Sequence, residues 1–431
     1  MSSETPVDPR EIAPLLTQEG MALLGSLGPY DEADALRTAT RLRAAGHDAE
    51  LVSAVLTQAR LRARAQEKFG DFAGRMLFTR AGLEQATRLR VAALHARRFA
   101  GANLTHVADL GCGIGADALA LASLDRRVTA VELDETTAAV ATLNLAPFPE
   151  VMVLHADVER LDLASLPGGP PDGVWLDPAR RTTSSSGTRR IFDPEAFSPP
   201  LSFAEALAGR GLPVGVKLGP GIPHEAVPAG CEAQWVSDRG DVVEAVLWFN
   251  AVARPGVRRA ALVLSAHGSA ELTSAEDHDP AHADAVVGPV GAYLYEPDGA
   301  VIRAGLVTDL ARQLGARLIH PRIAYLTSDE LVRTPLARAY RVREVLPHTV
   351  KVLKRWVREH GVGTLEIKKR GTDVTPEELR RRLAPKGPGR ATLVVTRTAP
   401  GPAPAPAAGG PARAGADPAE QRVVIVVETV D

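Results

Sequence analysis

A glycine-rich turn that follows a short apolar strand constrains this chain more than any other part of its sequence. Residues 107–116 read VADLGCGIGA, so a predicted strand ends in an acid and runs directly into three glycines. Glycine lets the backbone turn sharply and lets a ligand approach closely, which indicates a nucleotide-binding corner. The spacing of Gly111, Gly113 and Gly115 also fits the dinucleotide pattern G-x-G-x-x-G/A. The turn alone therefore leaves nicotinamide enzymes and other nucleoside-binding proteins open.

Three later predicted strands also end in acids. Their residues and acids are 127–133 with Glu132, 151–157 with Asp157, and 173–180 with Asp177. Glu132 is placed to accept hydrogen bonds from both ribose hydroxyls, and Asp157 lies where an adenine amino group could donate to it. The carboxyl ends of neighbouring strands in an open α/β sheet meet at one crevice. Together with Asp109, these acids predict a single site.

These residues resemble the class I S-adenosylmethionine-dependent methyltransferases over roughly residues 78–250. The resemblance implies S-adenosylmethionine as the cofactor, with the methionine part held near Asp109 and the ribose held by Glu132. The cofactor-binding residues that it implies are Asp109, Gly111, Gly113, Gly115, Glu132 and Asp157. The segment Asp177-Pro178-Ala179-Arg180 stands where the family has a D/N-P-P-Y/F motif that receives the atom to be methylated. Asp177, Pro178 and Arg180 are therefore the predicted catalytic residues.

The chemistry expected at this motif is direct displacement at a sulfonium methyl group, which needs alignment of the acceptor more than a strong base. Asp177 and the Pro178 carbonyl could accept hydrogen bonds from an exocyclic amine. Arg180 departs from the aromatic residue that base-amine enzymes use, and Asp-Pro-Ala-Arg also looks like the motif of uracil-C5 RNA methyltransferases. Those enzymes need a cysteine after the fifth strand, whereas Cys231 lies ten residues beyond Gly221. We therefore expect methylation of a base nitrogen of RNA, with guanine N2 preferred.

The predicted fold class is α/β. It consists of a Rossmann-like seven-stranded methyltransferase sheet, an N-terminal helical region and a C-terminal α/β module. The predicted boundaries are 1–100 for the helical region, 101–255 for the methyltransferase domain, and 256–431 for the module, with a Pro/Ala/Gly-rich insertion at 399–420. A hairpin turning at Arg239-Gly240 should close one edge of the sheet, and Lys217 on the fifth strand should lie near the edge of the site.

The region before the first strand offers further candidates. A helix is predicted over residues 82–98, and Phe78, Thr79 and Gln85 either reach the cofactor or the target, or belong to ordinary helix packing. After the fourth strand, the polar loop 181–187 leads to Arg189-Arg190 and is either a lid over the substrate or a segment without function.

The C-terminal module is predicted to alternate strands and helices. A strand over 258–266 begins it, a polar, acidic surface segment follows over 270–285, and an amphipathic helix is expected over 344–360. A strand over 364–370 and a capping box from Thr375 follow, and a final strand over 422–428 adds back to the module's sheet. Residues 258–398 resemble the THUMP-like domain behind some bacterial methyltransferases, which implies RNA binding because THUMP domains are RNA-binding modules.

The charge distribution agrees with a polyanionic partner. The net charge is only −2, but residues 58–98 contain 10 Lys/Arg against 3 Asp/Glu, and residues 320–398 contain 18 against 8. Two basic segments in a neutral chain favour RNA, either tRNA or rRNA, although arginine-rich helices can also simply solvate their outer faces.

Composition excludes several other classes. Two cysteines in 431 residues provide neither a disulfide framework nor a four-cysteine zinc site, so no metal is expected. No apolar run approaches the length of a membrane span, and the expected location is the cytoplasm. The oligomeric state stays open. Two other functions also stay open, namely methylation of a small molecule or protein, and a catalytically silent protein that binds the cofactor and RNA.

Overall fold

The computed structural model divides into two compact units. It describes residues 11–180, 193–266, 268–276, 286–399 and 420–430. The first unit contains Met1–Glu232 and Val246–Pro255, and the second contains Ala233–Ala245 and Gly256–Asp431. The polar loop predicted at 181–187, with Arg189 and Arg190, lies outside the described residues, as does most of the Pro/Ala/Gly-rich insertion.

Within residues 11–105, five α-helices precede the first strand. They are α1 (Gln18–Ser26), α2 (Ala35–Ala44), α3 (Ala49–Phe69), α4 (Arg80–Gln85) and α5 (Leu89–Gly101). The helix predicted over 82–98 is thus wrong as a single element, because the chain is extended between α4 and α5. Thr87 lies in this break and donates a hydrogen bond to Asp117, and Lys68 donates to the carbonyls of Leu83, Glu84 and Ala86 at the end of α4. These side chains stabilise the interruption.

The first unit contains a parallel sheet with helices between its strands. Its elements are β1 (His106–Leu110), α6 (Ala116–Ala122), β2 (Arg127–Glu132), α7 (Glu135–Leu145), β3 (Val151–His155), β4 (Gly173–Leu176), β5 (Ala179–Arg180), β6 (Phe197–Ser198), α8 (Leu201–Gly209) and β7 (Val214–Leu218). The strand order is β3-β2-β1-β4-β7, and β5 and β6 form a separate antiparallel pair. β1 and β4 are buried along their whole length. Because adjacent strands are parallel, their carboxyl ends meet at one edge.

A hairpin follows the parallel strands. It consists of β8 (Glu232–Asp238) and β9 (Asp241–Phe249), and it turns at Arg239 and Gly240, whose φ angles are 55° and 90°. This confirms the predicted hairpin. β9 begins in the second unit and ends in the first, where it lies next to β7.

Two further strands join the hairpin in the second unit. β10 (Arg259–Ser265) pairs in parallel with β8, and β11 (Gly268–Ser274) pairs antiparallel with β10. Residues 270–274 were predicted as part of a surface segment. Their side chains alternate between half-buried and exposed, so they do lie at the surface, but they form a regular strand. Their polar side chains are tolerated because β11 pairs through its backbone at the edge of the sheet.

The second unit contains a separate, mostly antiparallel sheet. Its elements are β12 (Tyr293–Pro297), α9 (Gly299–Arg303), α10 (Val307–Leu314), β13 (Arg317–His320), β14 (Ile323–Ser328), β15 (Ala337–Pro347), α11 (Val350–Glu359), β16 (Val362–Lys369), α12 (Pro376–Leu383), β17 (Gly389–Thr398) and β18 (Gln421–Thr429). The strand order is β13-β14-β12-β15-β18-β17-β16. β18 pairs antiparallel with both β15 and β17, so the final strand does return to the module's sheet.

The helix predicted over 344–360 begins only at Val350. Residues 344–347 belong to β15 and pair with β18. In the sequence, Leu346 is spaced from Leu353 and Trp356 like a residue on the same face of a helix. In the structure all three pack in one apolar cluster, although Leu346 lies on β15. Downstream, α12 begins at Pro376 after Thr375 as predicted, but within the described residues the Thr375 side chain makes no capping hydrogen bond. The fold class is nevertheless α/β, as predicted, with a helical N-terminal region, a Rossmann-like sheet and a second sheet domain.

Candidate functional site

The glycine turn brings the ends of β1 and β4 close together. Gly111 has a φ of 88°, and a Cβ atom placed on it would lie 2.8 Å from the carbonyl oxygen of Asp177. The Gly111 N–H donates to the Val131 carbonyl at 2.9 Å. Gly113 and Gly115 also have positive φ angles, and Gly115 precedes α6. Glycine at position 111 is therefore required both by the backbone angle and by the approach of the Asp177 segment.

Glu132, at the end of β2, is oriented toward the glycine turn. One of its carboxylate oxygens accepts a hydrogen bond from the Gly113 N–H at 2.9 Å, and the other accepts from the Asp134 N–H at 2.9 Å. Burial raises the pKa of the Glu132 carboxyl, while the backbone hydrogen bonds act in the opposite direction. The side chain is thus held in a defined rotamer beside the turn.

Asp109 is the most strongly buried acid of the site. Its residue is 1% exposed, and neither carboxyl oxygen has a hydrogen-bond partner within the part of the chain that the structure describes. Burial raises the pKa of Asp109 well above its usual value, and the negative charges of Asp117 and Asp177 raise it further, while the backbone N–H of Ala118 and the charge of Lys217 act more weakly in the opposite direction. A buried acid of this kind fits a ligand group that donates hydrogen bonds or carries positive charge.

Asp177 follows β4 and forms an ion pair with a lysine of the neighbouring strand. The Nζ atom of Lys217 on β7 donates to Asp177 Oδ2 at 2.5 Å and to Thr87 Oγ1 at 3.1 Å. The side chains of Lys217 and Asp177 are 14% and 31% exposed, so the pair lies at the rim of the buried region. The sequence predicted Lys217 only near the edge of the site, and the structure adds its contact with Asp177.

Sequence reasoning missed a buried network behind this ion pair. Thr87 Oγ1 donates to one oxygen of Asp117 at 2.8 Å, and His95 Nδ1 bonds the other oxygen at 2.8 Å. Burial alone raises the pKa of Asp117, but the hydrogen bond and charge of His95, with the charge of Lys217, bring it below its usual value. The His95 ring stacks on Trp175, with 4.2 Å between ring centroids. The one sequence sign of this network was an acid inside the otherwise apolar segment 116–122.

Two amides join the glycine turn to the helical region. Asn144 on α7 donates to the carbonyls of Ile114 and Leu77 at 3.0 Å each, and it accepts from the Leu77 N–H at 2.7 Å. Gln58 on α3 bonds both backbone groups of Phe78. Both amides are at least 94% buried, so their backbone partners are held firmly.

The remaining predicted residues have different surroundings. Asp157 follows β3, accepts a hydrogen bond from the Glu159 N–H and lies 3.3 Å from Arg160. Pro178 connects Asp177 to β5, and Arg180 pairs through its backbone with Phe197, while its side chain lies outside the described residues.

Phe78 and Thr79 have structural roles. The Phe78 side chain is fully buried in the core, and Thr79 Oγ1 accepts a hydrogen bond from the Gly82 N–H and so caps α4. Cys231 is buried, and its thiol donates to the Pro228 carbonyl.

The described residues were also considered for a membrane-spanning helix and for a metal centre. None of the helices among them is long and apolar enough to cross a membrane. Over the same residues, His, Cys, Asp and Glu form no group of three or more that could hold a metal ion.

Comparison with protein families gives three matches along the chain. A family described as a methyltransferase domain matches residues 108–175, and a family described as THUMP domain-like matches residues 337–408. A domain of unknown function matches residues 8–65. The methyltransferase match includes the glycine turn and the acids at the ends of β1, β2 and β3.

Individual relatives extend these matches over most of the chain. The chain is 36% identical over 350 residues to an uncharacterized S-adenosylmethionine-dependent methyltransferase of Mycobacterium tuberculosis, which occurs in two strains. This alignment covers 79% of the chain and 91% of the relative. The chain is also similar to a crystal structure from Porphyromonas gingivalis W83 that is described as a methyltransferase. The two share 22% sequence identity and a TM-score of 0.69, and the match covers 94% of this chain and 100% of that chain. At that identity the likeness shows the fold alone.

Proposed function

Because this chain belongs to the S-adenosylmethionine-dependent methyltransferases, we propose that it transfers a methyl group to a base nitrogen of RNA. The predicted family, cofactor and enzyme class are confirmed by the relatives of this chain, whereas the substrate and the roles of individual residues are proposals. The observation that carries the proposal is the position of Asp177 at the end of β4, where its backbone carbonyl lies against Gly111 of the glycine turn and its carboxylate pairs with Lys217.

The described residues fit S-adenosylmethionine. Asp109 offers a buried carboxyl whose oxygens lack a partner among these residues, which suits the ammonium group of the methionine part. Glu132 offers a carboxylate fixed beside the turn, which suits ribose hydroxyls. Gly113 leaves open space where another residue would place a Cβ atom, so a ligand can lie against the backbone. We assign Gly111 and Gly115 to the same cradle, and Asp157 to the adenine.

When bound, the cofactor supplies a methyl group on a positively charged sulfur, which is the leaving group in a direct displacement. The protein then has to hold the acceptor in line and compensate the charge. In our proposal Asp177 and the Pro178 carbonyl accept hydrogen bonds from an exocyclic amine and direct its lone pair toward the methyl group. The amine loses its proton after transfer, so no strong base is needed before it. Arg180 would contact the same acceptor.

RNA is the proposed substrate because of the second unit. Residues 337–408 match the THUMP domain-like family, and THUMP domains bind RNA. The exposed face of α11 carries Lys351, Lys354, Arg355 and Arg358, and the exposed part of α12 carries Arg381 and Arg382. A cluster of cations on neighbouring helices is suited to phosphate groups. The choice between tRNA and rRNA, and the preference for guanine N2, are open parts of the proposal.

The test compares wild-type protein with an Asp177→Ala variant. Transfer of labelled methyl groups is measured on total tRNA and on rRNA from cells that lack the gene, and calorimetry measures S-adenosylmethionine affinity. We expect transfer by the variant to fall by about 1,000-fold or more, while its cofactor affinity stays nearly unchanged, because a group that aligns the acceptor acts mainly on the transition state.

The exposed Asp71 provides a matched control, because Asp71→Ala removes an acid of the same unit that lies in neither the glycine turn nor a strand end. Mass spectrometry of nucleosides from the labelled RNA identifies the methylated atom. Transfer to protein or to small molecules but not to RNA would contradict the proposed substrate. Cofactor binding without any transfer would favour a catalytically silent protein.

A further inference from the structure

We propose that Lys217 is a positioning residue for methyl transfer, one that fixes the Asp177 carboxylate against the acceptor. The inference rests on the proposed function and deepens it, because it concerns a residue that acts through Asp177 rather than on the substrate. Its basis is a continuous line of contacts that runs from Asp177 at the rim into the core of the first unit.

The line of contacts has a rigid buried end. His95 is 3% exposed, stacks on Trp175 and bonds Asp117, which is 6% exposed. Asp117 in turn accepts a hydrogen bond from Thr87, and Thr87 accepts one from Lys217. Each group in this series is oriented by the next one inward. The ammonium group of Lys217 therefore has a defined position, although the lysine side chain is long.

Lys217 also lies where the acids need a cation. Asp109, Asp117 and Asp177 are close enough that the charges of the latter two raise the pKa of Asp109, and the charge of Lys217 acts in the opposite direction on Asp109 and Asp117. The charge of Lys217 also acts on Lys68, whose own ammonium group donates to three backbone carbonyls of the α4 region. Lys217 forms an ion pair with Asp177 at 2.5 Å.

This arrangement explains how a short side chain at a strand end can align an acceptor. An aspartate carboxylate rotates about its terminal bond, and a hydrogen bond to one oxygen fixes the direction of the other. Lys217 bonds Asp177 Oδ2, so the orientation of the Oδ1 side is set by the protein before the acceptor arrives. Misplacement of an aligning group by about 1 Å can reduce a rate about 100-fold.

The test uses full-length protein with the substitutions Lys217→Met, Lys217→Arg and Thr87→Val. kcat and KM for methyl transfer to total tRNA and rRNA from cells lacking the gene are measured separately, and calorimetry measures the affinity for S-adenosylmethionine. We expect Lys217→Met to lower kcat about 100-fold with little change in KM or in cofactor affinity. Lys217→Arg keeps the cation and should recover most of kcat, and Thr87→Val should lower kcat about tenfold, because Lys217 loses its inward partner.

Controls separate positioning from folding and from the proposed function. Thr142→Val on α7 removes a threonine hydroxyl that bonds only its own helix and should leave kcat unchanged, and thermal unfolding checks that every variant is folded. If the wild type methylates RNA and Lys217→Met keeps its kcat, or raises only KM, the positioning role is wrong while the proposed function stands. Equal losses in folded Lys217→Met and Lys217→Arg would also contradict it. If the wild type methylates no RNA, the proposed function is wrong and this inference is rejected with it.

Discussion

The first unit carries the acidic residues Asp109, Asp117 and Asp177 near its glycine turn, whereas the second unit contains Glu296, Tyr340 and Lys368, which are joined by hydrogen bonds and an ion pair. In the second group, the side chains of all three residues form hydrogen bonds with one another. Lys368 Nζ donates to Glu296 at 2.9 Å, and Tyr340 Oη donates to the same carboxylate at 3.0 Å. In the first group Asp109 is buried without such partners among the described residues.

The direction of the pKa changes records this difference. Burial lowers the pKa of Lys368, but its hydrogen bonds with Glu296 and Tyr340 outweigh burial and raise the pKa to about 12. Burial instead raises the pKa of Asp109 well above its usual value, and neighbouring acids add to the increase. The surroundings of Lys368 therefore stabilise its charged form, whereas the surroundings of Asp109 oppose the ionisation of its carboxyl.

Such a contrast separates structural polar groups from groups kept for binding. A buried charge with satisfied partners is compatible with stability, but a buried acid without them costs free energy and persists where function uses it. The comparison predicts that substitution of Asp109 trades stability against cofactor binding, and that substitutions in the second group affect stability alone.

The largest effect is expected from Gly111→Ala. The new Cβ atom would meet a backbone oxygen at 2.8 Å, and the residue would have a φ of 88°. Together these changes should lower the free energy of unfolding by about 3 kcal/mol, measured by urea denaturation. Gly113→Ala is the matched control, since its φ is 55° and its Cβ would meet nothing within 4 Å, so a loss of only about 1 kcal/mol is expected. Equal losses would contradict the close approach of the Asp177 segment.

The next effect concerns Asp109→Asn. Because the folded-state pKa of Asp109 is raised, the folded state binds this proton more tightly than the unfolded state, so stability falls as the pH rises above the unfolded value. The amide cannot ionise, so the advantage of the variant over the wild type in free energy of unfolding should grow as the pH rises from 4 to 8. Its affinity for S-adenosylmethionine should fall at least about tenfold, since the amide carries no charge to meet an ammonium group.

Denaturation from pH 4 to pH 8 and calorimetry at pH 7 measure both quantities for Asp109→Asn. A variant whose advantage does not grow with pH, yet which binds the cofactor as the wild type does, would remove the contrast between the two groups.

A smaller effect is expected from Glu296→Gln in the second unit. The substitution removes the charge that pairs with Lys368 and should lower the free energy of unfolding by about 1 to 2 kcal/mol, since the pair is partly exposed. Glu366→Gln is the control, because Glu366 lies 3.8 Å from the same Lys368 atom but is 59% exposed, so almost no change is expected. Cofactor affinity should be unchanged in both variants, and a loss in Glu296→Gln would show that the second group also serves binding.

The smallest effect is a pH dependence at Lys68. Burial, with the charge of Lys217, lowers the pKa of Lys68 from 10.5 to about 8. Between these values the unfolded chain binds more protons than the folded chain, so this lysine makes the protein gain stability as the pH rises from about 8 toward 10.5. In Lys68→Met this gain should be absent from the difference in unfolding free energy between pH 8 and pH 10. An identical pH dependence in both proteins would exclude the lowered pKa.

The sequence predicted those parts of the site that follow from strand order. Parallel strands bring their carboxyl ends together, so Asp109 and Asp177 were expected at one edge, and the structure brings their segments into contact across Gly111. Glu132 was likewise expected near the turn and bonds Gly113. The hairpin at Arg239-Gly240 was predictable because Gly240 readily adopts a positive φ angle, whereas the φ of 55° at Arg239 is unusual for a residue with a Cβ atom.

The rest depended on packing that periodicity does not encode. Thr87 and His95 meet Asp117 only because α5 packs against α6, and the pairing of these helices is not visible in their separate patterns. The spacing of Leu346 from Leu353 and Trp356 fits a helical face, but the apolar cluster that they share is built from both a strand and a helix. Thr375 makes no capping hydrogen bond within the described residues, although its position suits one. α12 nevertheless begins at Pro376, and proline is favourable at the first helical position.

The two buried amides of the first unit decide how this protein can be divided. Asn144 bonds the glycine turn and the backbone of Leu77 at once, and Gln58 bonds the adjacent Phe78. A shortened chain that starts at β1 would leave Asn144 with unsatisfied polar atoms in an apolar interior. In chimeras built from two relatives, the first hundred residues and the nucleotide-binding turn should therefore be taken from the same parent.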